Sequence, residues 1–390
     1  MSIDLNSLLN PVVRDIPPSG IRRFFDLAAE MDDVISLGVG EPDFVTPWHI
    51  RDEGIYSLEK GRTYYTANAG LKELRAEISN YLSRRFHLEY DPLTQVIVTV
   101  GGSEAIDLFM RSVISPGDEV LIPEPSFVCY SPITSICGGV PVPIVTKAEN
   151  EFRLTADELK AAITPKTKAL VLPFPNNPTG AVMRKEHLEA IAEVLDGTDI
   201  LVISDEIYSE LTYGNQPHVS FASIPGMYER TVIVSGFSKA YAMTGWRLGY
   251  VCGHPDLVKV MTKVHQFAIM SAPTTAQYAA IEALKNGDND IAMMREEYNR
   301  RRMVMVKGFN DMGLSCFEPE GAFYTFPCIK STGMDSNTFC ETLLHEKHVA
   351  VVPGNAFGKS GEGFIRCSYA YSIKSINAAL ERIEAFVKHR

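Results

Sequence analysis

Short runs of consecutive apolar residues, many of them β-branched, punctuate the middle of the chain: 95–100 (QVIVTV), 119–122 (EVLI), 169–172 (ALVL), 200–204 (ILVIS), 231–235 (TVIVS) and 248–252 (LGYVC). They are continuous rather than alternating, the pattern of strands covered on both faces. Between them lie amphipathic stretches at helical spacing. In one, 156–163, Thr155 and Glu158 stand three apart as a capping box and predict a helix start. Strand and helix in alternation predict a layered α/β domain with a mostly parallel sheet. From about residue 292 the pattern changes to a long charged helix through 295–309 (REEYNRRRMVMVKGF), then short strands around 323–327 and 349–352. Residues 46–290 are expected to form the large domain and 291–390 a smaller α+β domain, joined by residues 1–45.

A length of 390 residues suits two or three domains. No repeat or low-complexity linker separates them, so the second must be built from the chain ends or an insertion. Apolar residues at 45% and charged residues at 22% are ordinary globular values and exclude wholesale disorder. The net charge of -11 opposes nonspecific attraction to nucleic acid or anionic membrane, yet leaves room for a small anion in a pocket with a few cations. Seven cysteines, scattered and without a CxxC pair, indicate neither a disulfide framework nor a zinc knuckle. With no basic, apolar leader and no run of about 18 apolar residues, a soluble, cytoplasmic protein is expected, with no metal.

Ligands of a parallel sheet collect at the carboxyl ends of its strands. Four such ends carry unusual residues: Gly101-Gly102-Ser103-Glu104, Asn176-Asn177-Pro178-Thr179-Gly180, Asp205-Glu206-Ile207-Tyr208 and Gly236-Phe237-Ser238-Lys239. The first can present backbone N–H groups and a hydroxyl to a phosphate, or be a plain βα turn. It fits neither the Walker nor the dinucleotide fingerprint. Gly236 to Ala240 resembles a hydrolase elbow but lacks the final glycine, and no histidine follows convincingly. Lys239 is either a snorkelling surface amine or an ammonium at the core edge in need of a partner. Arg247 adds a second cation nearby, and an anion between the two resolves their repulsion. Asp205 is either a helix N-cap or a buried carboxylate awaiting a cation, and Asn177 a turn residue or a positioned amide. Their co-occurrence at one sheet edge favours the functional alternative in each case.

At this combination the sequence resembles the class I aminotransferases, fold type I enzymes that use pyridoxal 5'-phosphate (PLP), close to the aspartate, aromatic and diaminopimelate-type members. The resemblance runs from SLGVGEPDF (36–44) through YTANAG (65–70), NPTG (177–180), DEIY (205–208) and SKAYAMTGWR (238–247) to FIR (364–366). It implies a three-layer large domain with a mostly parallel seven-stranded sheet and a smaller domain from both chain ends. Lys239 would form the Schiff base with the cofactor and move the α-proton. Asp205 would pair with the pyridine nitrogen and keep the ring an electron sink. Asn177 and Tyr208 would donate to the ring 3'-oxygen. Arg247, Ser238, Gly102, Ser103 and the Glu104 backbone amide would hold the phosphate, and Phe127 would stack on the ring.

The resemblance further implies that Arg366 grips the substrate α-carboxylate and that Gly40 brings backbone close to the substrate. Tyr65 would reach the phosphate of a neighbouring subunit, making a homodimer part of the active site. The bland alternatives are a surface arginine, a turn glycine and a packing tyrosine. One departure is Gly236, where many members have a phosphate-binding serine; Ser235 or Ser238 is expected to substitute. The implied reaction is transamination between an amino acid and a 2-oxo acid such as 2-oxoglutarate. β-Elimination by a C-S lyase is the alternative, since both start from the same carbanion. A PLP-binding regulator fused to a DNA-reading helix-turn-helix is excluded by the roughly 35 residues before the first motif and by the acidic charge.

Overall fold

The computed structural model describes residues 3–18, 20–21, 31–214 and 217–389. Ile35–Ser36 (β1) precedes a central sheet of seven strands: Val96–Thr99 (β2), Glu119–Glu124 (β3), Val140–Val145 (β4), Thr167–Leu172 (β5), Leu201–Asp205 (β6), Thr231–Gly236 (β7) and Gly249–Cys252 (β8). Their spatial order is β2-β8-β7-β6-β5-β3-β4. All neighbouring pairs are parallel except those of β8, which runs against both β2 and β7.

The continuous apolar runs divide between two faces, as strand geometry requires. Ile97, Val120, Val171, Ile203 and Val234 pack with Phe109 and Met110 of the helix Gly102–Val113 on one face. Their sequence neighbours Val98, Leu121, Leu170, Val202 and Ile233 belong to the hydrophobic clusters of the other face. At about 1.5–3 kcal/mol for each fully buried aliphatic side chain, this two-sided burial is the main source of the sheet's stability. The capping box at Thr155 forms with both hydrogen bonds and starts the helix Ala156–Ala162.

The strand β4 had no counterpart among the apolar runs because Pro141 and Pro143 interrupt it. It lies at the sheet edge with β3 as its one neighbour, where a residue without an N–H is tolerated. Beyond the sheet, the long charged helix spans Asp288–Asp311. Tyr324–Thr325 (β9), Val349–Ala350 (β10), Val352–Pro353 (β11) and Ile365–Ser368 (β12) follow. An antiparallel sheet takes the order β11-β12-β9, while β1 pairs in parallel with β10. The N-terminal chain thus crosses to residues of the far end; its residues 22–30 lie outside those described. No described helix is long and apolar enough to cross a membrane.

Candidate active site

The carboxyl ends of β2, β5, β6 and β7 open on one cavity of about 670 Å³. Gly102 and Ser103 follow β2, Asn177 follows β5, Asp205 and Tyr208 follow β6, and Ser238, Lys239 and Arg247 follow β7; all border it. Phe127, Gly40 and Arg366 complete the expected set, so residues scattered over more than three hundred positions meet in one place.

Two expected residues are not in that lining. Tyr65 is 80% exposed and sits beside Pro273 and Thr274, away from this chain's own cavity. The Glu104 carboxylate turns away: it accepts from the Val100 backbone N–H and lies 2.6 Å from His265 Nδ1. This pins the loop before the helix Gly102–Val113, whose amino end borders the cavity through Gly102 and Ser103.

At position 101 only glycine serves, because φ is +79° and a β-carbon would stand 2.7 Å from Arg247 Nη2. Arg247 itself has a left-handed φ of 52°, the kind of backbone strain that collects at functional sites. Its Nη1 donates to the Thr244 carbonyl, and the other end of the guanidinium lies against Gly101. A cation, a helix amino end and the Ser103 and Ser238 hydroxyls thus converge on space suited to a phosphate. Of the two serines expected to replace the missing one, Ser238 lines the cavity, whereas Ser235 Oγ donates to the Glu206 carbonyl. Gly236 has no room for a side chain, since a β-carbon would come within 2.8 Å of Gly249 Cα.

Asp205 is buried. Its Oδ2 accepts from the Tyr130 hydroxyl at 2.7 Å and its Oδ1 from the Ile207 N–H at 3.2 Å; one oxygen thus closes a turn, and no helix follows for it to cap. Burial raises its pKa, against the pull of these two donors. Lys239 Nζ donates to the Gly40 carbonyl at 2.6 Å, between the Tyr208 and Phe323 rings. Burial lowers its pKa to about 8, opposed by Glu41 and assisted by Arg366 and Arg247. An amine poised near neutrality is suited to act as nucleophile and base.

Arg366 is buried. Nη1 donates to Asn177 Oδ1 at 2.8 Å and Nη2 to the Gly38 carbonyl. Its Nε has no partner, and the guanidinium lies between the Tyr324 and Phe357 rings, 4.5 and 4.8 Å from their centroids. The contact to Arg366 occupies the Asn177 carbonyl and leaves its NH2 to donate elsewhere. A buried donor without an acceptor calls for one from a ligand.

Three site features were missed in the sequence. Tyr130 lies three residues after Phe127, at the start of the helix Tyr130–Ile136, a spacing that would have placed the two together. Tyr324 is hidden in the aromatic run GAFYTF, and the carbonyl of Gly38 leaves no trace in any sequence.

The arrangement is that of a PLP-binding aminotransferase, and the comparisons agree. Residues 32–383 match the family model described as aminotransferase class I and II. A putative aminotransferase, YugH, of Bacillus subtilis is 55% identical, covering 98% of this chain and 99% of its own length. An aspartate aminotransferase of Pyrococcus abyssi is 46% identical over 96% of this chain and 97% of its own. The crystal structure of an aromatic aminotransferase from Pyrococcus horikoshii superposes with a TM-score of 0.90 at 45% identity, covering 95% of this chain and 99% of that one. The chain belongs to the class I and II aminotransferases. It is a transaminase, moving an amino group between an amino acid and a 2-oxo acid with PLP as cofactor.

Proposed function

We propose that the residues around this cavity divide the work of transamination as follows. When bound, PLP supplies an aldehyde that takes up the amino group and a ring that accommodates the electrons of the broken Cα–H bond. Lys239 Nζ would hold the cofactor and, once released, carry the α-proton from the amino acid to the cofactor carbon that bore the aldehyde. Asp205, braced by Tyr130 and Ile207, would pair with the pyridine nitrogen and favour its protonated form. The Asn177 NH2 and Tyr208 hydroxyl donate to the ring 3'-oxygen. Arg247, Ser103, Ser238 and the amides from Gly102 to Glu104 take the phosphate, and Phe127 covers the ring.

Arg366 orients the amino acid by its α-carboxylate, for which the remaining Nη protons are free, with Gly40 allowing close approach. The observation that carries the reading is the triangle of Lys239, Asp205 and Arg366 around one cavity. No feature of the site favours C-S β-elimination over transfer.

The same reading makes the working unit a cytoplasmic homodimer in which Tyr65 reaches the phosphate of the other subunit; its exposure, with that of the adjoining Tyr64, supports this. Seven free cysteines fit a reducing compartment. The division into residues 46–290 and 291–390 with 1–45 joined to the latter is supported by the pairing of β1 with β10.

Borohydride reduction of the holoenzyme followed by peptide mapping should place a pyridoxyl group on Lys239; a label elsewhere overturns the reading. Holoenzyme mixed with single amino acids and no 2-oxo acid should convert its cofactor stoichiometrically to the amine form. Release of pyruvate with ammonia would instead identify a lyase.

A further inference from the structure

Tyr324, on β9, touches both halves of the proposed site. Its hydroxyl lies 2.8 Å from the Tyr208 hydroxyl, and the Arg366 guanidinium lies 4.5 Å from its ring centroid. The hydroxyl is tightly enclosed: a β-carbon at position 40 would fall 2.4 Å from it, so Gly40 is the residue that makes room for it. The groups facing the two phenols are Arg366, Lys239, Asp205 and Glu41, with Tyr371 as a further phenol. Burial raises both phenol pKa values, so both are protonated near neutral pH and one must donate to the other. If the hydrogen of Tyr208 is committed to the cofactor oxygen, Tyr324 is the donor and Tyr208 the acceptor.

We propose that Tyr324 is a positioning residue that donates to Tyr208, strengthening the hydrogen bond Tyr208 gives to the PLP ring oxygen, while its ring face holds Arg366 for the substrate carboxylate. The inference rests on the reading of Tyr208 given above. A hydroxyl that accepts a hydrogen bond becomes a stronger donor, by about 10–30% per bond. A hydrogen bond to a charged oxygen corresponds to roughly one to two pH units in the titration of that oxygen's partner proton. The share that passes through Tyr324 is then about 0.1–0.6 unit.

The test is a spectrophotometric pH titration of the bound cofactor in wild type, Tyr208→Phe, Tyr324→Phe and the double variant. Tyr208→Phe should raise the midpoint by about one unit or more, Tyr324→Phe by about 0.1–0.6, and the double variant no further than Tyr208→Phe alone. Tyr324→Phe keeps the ring and should leave KM for the amino acid within about twofold, whereas Tyr324→Leu loses the ring face and should raise it by roughly 2- to 30-fold. An unshifted Tyr208→Phe midpoint removes the reading of Tyr208. A shifted Tyr208→Phe with an unshifted Tyr324→Phe, or an equal Tyr324→Phe shift when the Tyr208 hydroxyl is absent, overturns the coupling.

Discussion

The depressed pKa of Lys239 makes the apoenzyme's reactivity and its stability depend on pH in linked ways. Lowering the value from 10.5 to about 8 corresponds to about 3 kcal/mol against the ammonium form. At pH 7.4 about a fifth of the molecules then carry the free amine, against fewer than one in a thousand for an ordinary lysine. The rate at which apoprotein captures a small neutral aldehyde at Lys239, trapped with borohydride and read by peptide mass, should rise with pH and level off with a midpoint near 8. Between pH 8 and 10.5 the folded chain holds fewer protons at this amine than the unfolded chain does. The cost is therefore fully present below pH 8, shrinks across that interval, and vanishes above 10.5.

Replacing the amine by Lys239→Met removes the cost together with the hydrogen bond to the Gly40 carbonyl, itself worth about 1 kcal/mol. The apo variant should be more stable than wild type by about 2 kcal/mol at pH 7, by urea unfolding, with the gain gone above pH 10.5. A capture midpoint at 10 or higher, or a gain independent of pH, would refute the argument that burial dominates at this amine.

Other consequences are equally direct. Arg366→Lys keeps the charge but loses the planar fork and its seat between Tyr324 and Phe357, so KM for amino acids should rise by roughly 10- to 100-fold with smaller loss of kcat. Tyr130→Phe deletes the donor to Asp205 Oδ2; the carboxyl pKa should climb further, moving the acid limb of the kcat profile up by about one unit. Gly180→Ala meets a φ of +75° and a contact of 2.4 Å to Pro319, and should cost roughly 2–5 kcal/mol in urea unfolding. Mixing inactive Lys239→Ala subunits with Tyr65→Ala subunits should restore activity through hybrid dimers having one intact site; no recovery on subunit exchange would place Tyr65 outside the shared site.

What the sequence disclosed was whatever changed local pattern. The sheet strands buried on both faces were visible because apolar continuity is their requirement, and Asp205, Lys239 and Arg366 because a charged residue interrupts or ends such a run. The edge strand β4 escaped because its prolines break the pattern while its exposed side needs no donors. The reversed direction of β8 is invisible, since burial on two faces looks alike in either sense. Tyr324 and Tyr130 were missed for another reason. Both are aromatic residues in apolar surroundings, and only their hydroxyl contacts, made over 116 and 75 positions of chain, distinguish them from packing.

The pairing of β1 with β10 joins position 35 to position 349, and that sets an order of events as the polypeptide emerges from the ribosome. Lys239, Asp205 and Arg247 are all present once residue 252 closes the central sheet, whereas Arg366 and the strand that Ile35 awaits are synthesised last. A nascent chain therefore completes the sheet edge that bears Asp205 and Lys239 before it makes Arg366 or the partner strand of Ile35.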